Sequence, residues 1–277
     1  LGANWMSVEP PRNWRAVACS WDGRKWMAAE DGGPIWVSPD AGMNWIATDT
    51  FGVHWTSLTC SADGNRMIAT VHGAPLLVST NFGQSWSQHE GVRNWQAAAS
   101  SSDGTCLAAV VLLGKIHTSH DGGRSWAERE SNRPWTCVAM TADGSKMFAA
   151  AFGGHLYVSA DFGESWTPCA ERGRWWSVAC SEDGNEIVAA ERWGPIWAST
   201  DGGVTWKERE RSSQWEGLAL SANGTKLVAV GAGEGERTLV VSGSGRIVVP
   251  PSASIELTYG GHGAFFLTVA SGRIEAP

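Results

Sequence analysis

Six tryptophans recur along this chain at a nearly constant interval: Trp14, Trp55, Trp95, Trp135, Trp175 and Trp215 are 41 residues apart once and 40 thereafter. A fixed period of that length means that the folding unit is one repeat, stacked against copies of itself. Two further series keep step with the first. The segments SPDAGMNW, STNFGQSW, SHDGGRSW, SADFGESW and STDGGVTW end at Trp45, Trp86, Trp126, Trp166 and Trp206. A short turn (SWDG, SADG, SSDG, TADG, SEDG, SANG) places Gly23, Gly64, Gly104, Gly144, Gly184 and Gly224 at the same interval.

Within one repeat, WRAVACS is followed by the turn WDG, then RKWMAAED, a Gly-Gly-Pro break, IWVS, the turn PDAG, and NWIATD. Short apolar-rich runs separated by Gly, Asp, Pro and Asn read as four strands joined by tight turns. No stretch keeps a 3.6-residue apolar period over helical length. Four strands in about 40 residues is the size of one blade of a β-propeller, whose radial repetition also protects the sheet edges. The expected fold is therefore all-β: a single domain over residues 1–277 with repeats starting near 14, 55, 95, 135, 175, 215 and 255. Beyond Trp215, IELTYGG, AFFLTVAS and RIEAP supply three strands without the recurrent Trp. At the other end Gly2 and Trp5 match Gly42 and Trp45 in position, so residues 1–13 are expected to complete the last blade. The expectation is seven four-stranded antiparallel blades, the last closed by the N-terminal strand, which ties down a terminus that would otherwise fray. The sixth repeat gains residues at GAGEGER and loses about as many at SGSGRIVV.

The net charge of −7 gives no basic footprint for nucleic acid, and no run approaches the length of a membrane-spanning helix. Cys19, Cys60 and Cys180 stand five residues after a recurrent Trp, where other repeats have Ser100, Met140 and Leu220. That is the pattern of a small buried hydrophobe, and no cysteine has CxxC spacing, so free structural thiols are expected. His117 and His120 are three apart and turn to opposite faces of a strand. Neither a metal nor a cofactor is expected.

The S-x-D-x-G-x-x-W segments are those of Asp-boxes, and the whole chain resembles the BNR/Asp-box repeat β-propellers, a group that includes sialidases, two-propeller xyloglucanases, sortilin-type receptors and photosystem II stability/assembly factor-like proteins. Four copies carry the Asp, at Asp40, Asp121, Asp161 and Asp201, and one has Asn81. The resemblance implies that these residues are structural and lie on the face opposite the ligand. For a sialidase it would also imply an arginine triad, a Tyr activated by a Glu and an acidic proton donor. The chain has two tyrosines. Tyr157 stands where other repeats have Trp36, Leu77, His117 and Trp197, and Tyr259 falls in a first strand of the last repeat, so no recognisable catalytic set follows.

Two sets of segments vary between repeats while the strands hardly change. One joins repeat to repeat (EPPRN, DTFGVH, HEGVRN, RESNRP, CAERGR, RERSSQ) and the other joins strands two and three (EDGGP, TVHGAP, VLLGK, FGGH, ERWGP, GAGEGERT). In a four-stranded meander both emerge at one face, and loops on a rigid scaffold are where binding residues concentrate. The candidate ligand residues on that face are Trp176, Trp193, Arg192, Glu191, Arg174, Arg133, Arg93 and His54. Planar aromatics beside Arg and Glu suit sugar rings, and the same set suits a protein hot spot. The expected function is a non-catalytic, secreted, lectin-like carbohydrate-binding propeller. The alternatives are a protein-interaction or assembly scaffold and, third, a glycoside hydrolase using carboxylates such as Glu30, Asp31, Glu171 and Glu191.

Overall fold

The computed structural model describes residues 12–50, 54–233, 236–241, 245–249, 255–259 and 265–269. In the first repeat the strands Trp14–Cys19, Trp26–Glu30, Ile35–Ser38 and Ile46–Ala47 form one antiparallel sheet in chain order. Trp26 to Ala29 pair with Ser38 to Ile35, so the second and third strands are a hairpin. The fourth repeat does the same, with Met147 to Ala150 opposite Ser159 to Leu156. No helix occurs among the described residues, and none is long and apolar enough to cross a membrane.

The second strands explain how the repeats stack. Side chains alternate across a strand, so each face of a sheet looks at a different neighbour. Met67, Ala69 and Val71 pack with Met27, Ile35 and Val37 of the preceding repeat, whereas Ile68 packs with Trp95, Leu107 and Ala109 of the following one. The same division recurs at Met147 and Ala149 against Phe148 and Ala150, and again at Ile187 and Ala189 against Val188 and Ala190. Because both faces are covered, these strands read as continuous apolar runs (MIATV, LAAVV, MFAAA) rather than as alternating ones.

In the second, third and fifth repeats the second and third strands run together as Met67–Ser79, Leu107–Ser119 and Ile187–Ser199. A left-handed residue marks the tip of each: Gly73 (φ 75°), Leu113 (φ 57°) and Trp193 (φ 60°), in step with Gly153 (φ 69°) and Gly32 (φ 76°) elsewhere. These tips carry strand pairing of their own. His72 faces Asn94, Leu112 faces Pro134, Phe152 faces Arg174 and Arg192 faces Gln214. Each tip is thereby sewn to the connection leading to the next repeat, which continues the pairing and creates the long runs Ser87–Ser100, Ala127–Met140 and Lys207–Leu220. Both variable segment sets lie at the same end of the molecule.

The other end carries the S-x-D-G turns and, bonded to them, the Asp-bearing turns, as in Ala41 N–H to Arg24 O and Phe82 N–H to Asn65 O. A chain of backbone bonds crosses from repeat to repeat there. Trp21 N–H donates to Ala62 O, Ala62 to Ser102, Ser102 to Ala142, Ala142 to Glu182 and Glu182 to Ala222, at 2.7–3.0 Å. One bond of this kind per boundary fixes the pitch of the stack. The sixth repeat keeps four strands despite its altered lengths: Leu227–Gly233 pairs with Glu236–Val241, and that strand with Gly245–Val249. Ile255–Tyr259 pairs with Phe265–Val269 and runs beside both Trp14–Cys19 and Lys207–Leu220. Gly2 and Trp5, on which the expected closing strand depends, lie outside the described residues.

Candidate functional site

The recurrent tryptophans form the floor under the variable end. Trp55, Trp95, Trp135, Trp175 and Trp215 are buried. Trp55 Nε1 donates to Gly33 O at 2.9 Å and Trp215 Nε1 to Gly194 O at 3.0 Å, each across to the hairpin tip of the preceding repeat. Trp95 and Trp135 instead stand edge-on to His117 (ring centroids 4.9 Å apart) and Tyr157 (5.1 Å), the residues at the same strand-three position. Burial, with the Arg93 charge, holds His117 below the usual imidazole range, so the ring is neutral at pH 7 and belongs to the core.

Of the residues singled out on this end, five come together at the boundary of the fourth and fifth repeats. Trp176 is half-buried, edge-on to Phe152, with the Arg192 guanidinium 4.1 Å from its ring centroid. That guanidinium also lies 4.8 Å from the ring of Trp193, which is 54 % exposed. Arg192 thus stacks on both indoles, an arrangement stabilised by the ring quadrupoles. Glu191 is built into the frame: Oε1 accepts from Trp197 Nε1 at 2.9 Å and Oε2 from the Arg174 backbone N–H at 3.1 Å. Glu30 makes the matching bond to Trp36 Nε1 at 2.8 Å in the first repeat. The Arg174 side chain is exposed and has no partner among the described residues.

The other three candidates belong to separate repeats. Arg133 stacks on Tyr157 (4.7 Å) and bonds to Glu130 (3.2 Å). Arg93 reaches Glu128 at 3.0 Å and Glu90 at 3.8 Å. His54 Nδ1 lies 3.5 Å from Asp31 Oδ1 with its side chain largely exposed. Sequence reading missed the carboxylates that hold these arginines. The signal was present, since Glu90 and Glu130 each stand three residues before Arg93 and Arg133. It also missed Leu113, which occupies the Trp193 position two repeats earlier and is 70 % exposed. A groove of about 800 Å³ opens beside the cluster, lined among others by His155, Glu171, Arg172, Trp197 and Trp206.

The Asp-bearing turns are closed systems. Asp161 Oδ1 accepts from Ser159 Oγ (2.7 Å) and Ser165 N–H (2.9 Å), and Oδ2 from Ser165 Oγ. Trp166 Nε1 bonds back to Gly163 O at 3.1 Å. Asp40, Asp121 and Asp201 repeat the scheme, and Asn81 Oδ1 takes the same bonds from Ser79 and Ser85. Side-chain and backbone donation by Ser165 holds the Asp161 carboxyl down to about 2, and donation by Thr205 does so for Asp201. A carboxyl depressed in the folded state stabilises the fold above its unfolded pKa and loses that contribution as pH falls through its folded value. The melting temperature is therefore expected to fall progressively from about pH 4 to about pH 2. Asp161→Asn with Asp201→Asn, patterned on Asn81, should flatten that descent. A parent protein whose melting temperature is constant over this window would contradict the assignment.

All six cysteines are free thiols, and burial pushes Cys19, Cys169 and Cys180 up to about 12, so they are protonated and inert at neutral pH. No cluster of three metal-ligating side chains occurs among the described residues.

No family model and no curated protein matches the sequence. Solved structures do match in fold. YCF48 from Cyanidioschyzon merolae is 14% identical, with a TM-score of 0.71 over 98% of each chain. YCF48 bound to D1 peptide is 16% identical, with a TM-score of 0.70 over 98% of this chain and 96% of that one. The β-propeller domain of Cps50 (Swd1) from Myceliophteria thermophila gives 14% and 0.73, covering 94% and 93%. An ancestral GH74 enzyme gives 14% and 0.66, but this chain spans 40% of its length. At these identities the shared property is architecture, and the chain has the antiparallel β-propeller fold.

Proposed function

We propose that this chain is a non-catalytic, protein-binding propeller that engages its partner on the end bearing the hairpin tips and connections. The observation that carries this reading is how the polar groups of that end are used. Glu30 and Glu191, two of the carboxylates open to a hydrolytic role, hold the indoles of Trp36 and Trp197. Arg192 and Phe152 already occupy Trp176, which leaves Trp193 as the open indole of the cluster and Arg174 as its unpaired cation. An exposed aromatic beside an arginine is the composition of a protein hot spot. The relatives support the same choice. A propeller of this length is solved with a peptide bound, whereas the GH74 chains are about twice as long or longer. Carbohydrate recognition has no comparable support among them.

The test is a pair of unbiased screens on the purified chain, random-peptide display and a glycan array. The reading expects an enriched peptide consensus whose binding survives competing oligosaccharide. Glycan binding without peptide enrichment would overturn it in favour of a lectin.

The ring itself is proposed to hold seven units, with residues 1–13 completing the last. Two facts support this: Ile255–Tyr259 runs beside both the first and the sixth repeats, and the matching positions of Gly2 and Trp5 fit a returning fourth strand. Deleting residues 1–9 is expected to lower stability by at least ~3 kcal/mol, the cost of losing one packed Trp. A truncated chain that melts with its parent would contradict closure.

A further inference from the structure

In each of the first five repeats the hairpin tip between strands two and three holds one left-handed residue. Gly32, Gly73 and Gly153 are three of these, and a Cβ added at any of them would touch nothing within 4 Å. Space therefore does not select glycine there; the backbone angle does, because left-handed φ is disfavoured for any residue with a Cβ. In the third and fifth repeats the same position is held by Leu113 and Trp193, at φ 57° and 60°. Both side chains point away from the core, 70 % and 54 % exposed. Glycine would relax the backbone at both positions, and more than half of each side chain's surface is left exposed rather than packed. Strain retained for so small a structural return is the mark of a functional position.

The charges around the two tips state what kind of partner fits. Arg192 stacks on the ring of Trp193, and the connection entering the same repeat carries exposed Arg172 and exposed Arg174, the latter with no side-chain partner among the described residues. Of the two acids there, Glu191 has both oxygens engaged inside the frame, and exposed Glu171 stands against the two arginines Arg172 and Arg174. Beside Leu113 the charges are balanced: Lys115 pairs with Glu128, and Arg93 with both Glu128 and Glu90. The uncompensated positive charge therefore lies at the Trp193 end, on a chain whose net charge is −7.

We propose that Leu113 and Trp193 are paired apolar anchors, two repeats apart, for a partner protein segment that carries carboxylates next to aromatic or aliphatic side chains. The partner's apolar groups cover the indole and the leucine, and its carboxylates meet Arg174 and Arg172. This deepens the protein-binding reading and rests on it.

Fluorescence anisotropy with a short fluorescein-labelled peptide that alternates Asp and Glu with Phe and Leu tests the inference in the full chain. Saturable binding is expected. Substituting Asn and Gln for the acids of the peptide, or Trp193→Gly or Arg174→Ser in the protein, should each weaken it by about tenfold or more, and Leu113→Gly should act in the same direction. Trp193→Gly must at the same time melt no lower than the parent, since glycine relaxes the left-handed backbone. A parent that ignores the peptide, a Trp193→Gly variant that binds it unchanged, or one that melts well below the parent would overturn the inference. If display-selected peptides of other composition bind while this probe does not, the anchor assignment fails and the protein-binding reading stands.

Discussion

Trp55→Ala is expected to destabilise the chain by ~3–5 kcal/mol, the range for truncating a buried tryptophan. Trp55 is 1 % exposed and packs among Met27, Ile35 and Val37 of one repeat and Leu58, Met67 and Val71 of its own. Removing it opens a cavity at a boundary between two sheets, where backbone pairing on both sides resists collapse. It also deprives Gly33 O of its indole donor. At about 2–4 °C per kcal/mol for chains approaching this size, the melting temperature should drop by about 10 °C. Trp55→Phe keeps most of the volume and loses the bond, so a smaller fall of ~1–3 kcal/mol is expected. Calorimetry on the three proteins orders them parent, Phe, Ala. A Trp55→Ala protein that melts within about 1 °C of the parent would show that the recurrent indole is not structural.

Gly163→Ala should be among the most damaging of the small substitutions. Gly163 has φ 85°, and a Cβ there would lie 2.7 Å from Thr118 Cγ2 and 3.1 Å from Met147 Sδ. Thr118 and Met147 are both buried, so neither can swing aside. Left-handed strain of ~1–2 kcal/mol adds to overpacking of ~1–3 kcal/mol, giving about 3 kcal/mol. Gly153→Ala supplies the control. Its φ is 69° but a Cβ there meets nothing within 4 Å, so only the strain of ~1–2 kcal/mol remains. Urea midpoints should therefore fall further for Gly163→Ala than for Gly153→Ala. Equal shifts would mean that the close approach of the fourth repeat's turn to the third repeat's strand is not as described.

The repeat was legible because each unit must present the same wedge to its neighbour. A tryptophan at the head of strand one and a Ser-Asp-Gly-Trp turn solve a local problem that recurs every 40 residues, and both leave that interval in the sequence. Strand two was legible for a related reason, since burial on both faces leaves no polar alternation to blur it. The continuous runs such as Met67–Ser79 were not foreseen. They arise because His72 and Ala74 pair with Asn94 and Arg93, a backbone interaction between segments whose side chains carry no matching signature.

The site was legible in place more than in role. Trp176, Arg192 and Trp193 do adjoin one another, but an aromatic next to an arginine is equally the sequence of a sugar platform and of an internal cation–π stack. The repeats carry a further signal. Glu occurs six residues before Trp36 and before Trp197, while Val71, Val111 and Ala151 precede Leu77, His117 and Tyr157. That covariation marks Glu191 as the partner of an indole. The same alignment places Leu113 and Trp193 among glycines.

Hydrogen–deuterium exchange with and without a display-selected peptide tests the central claim most directly. Binding at the variable end should slow exchange at the tips and connections, in residues 112–115, 172–176 and 190–194, and leave the Asp-bearing turns around residues 119–126, 159–166 and 199–206 unchanged. Protection confined to those turns would contradict the account.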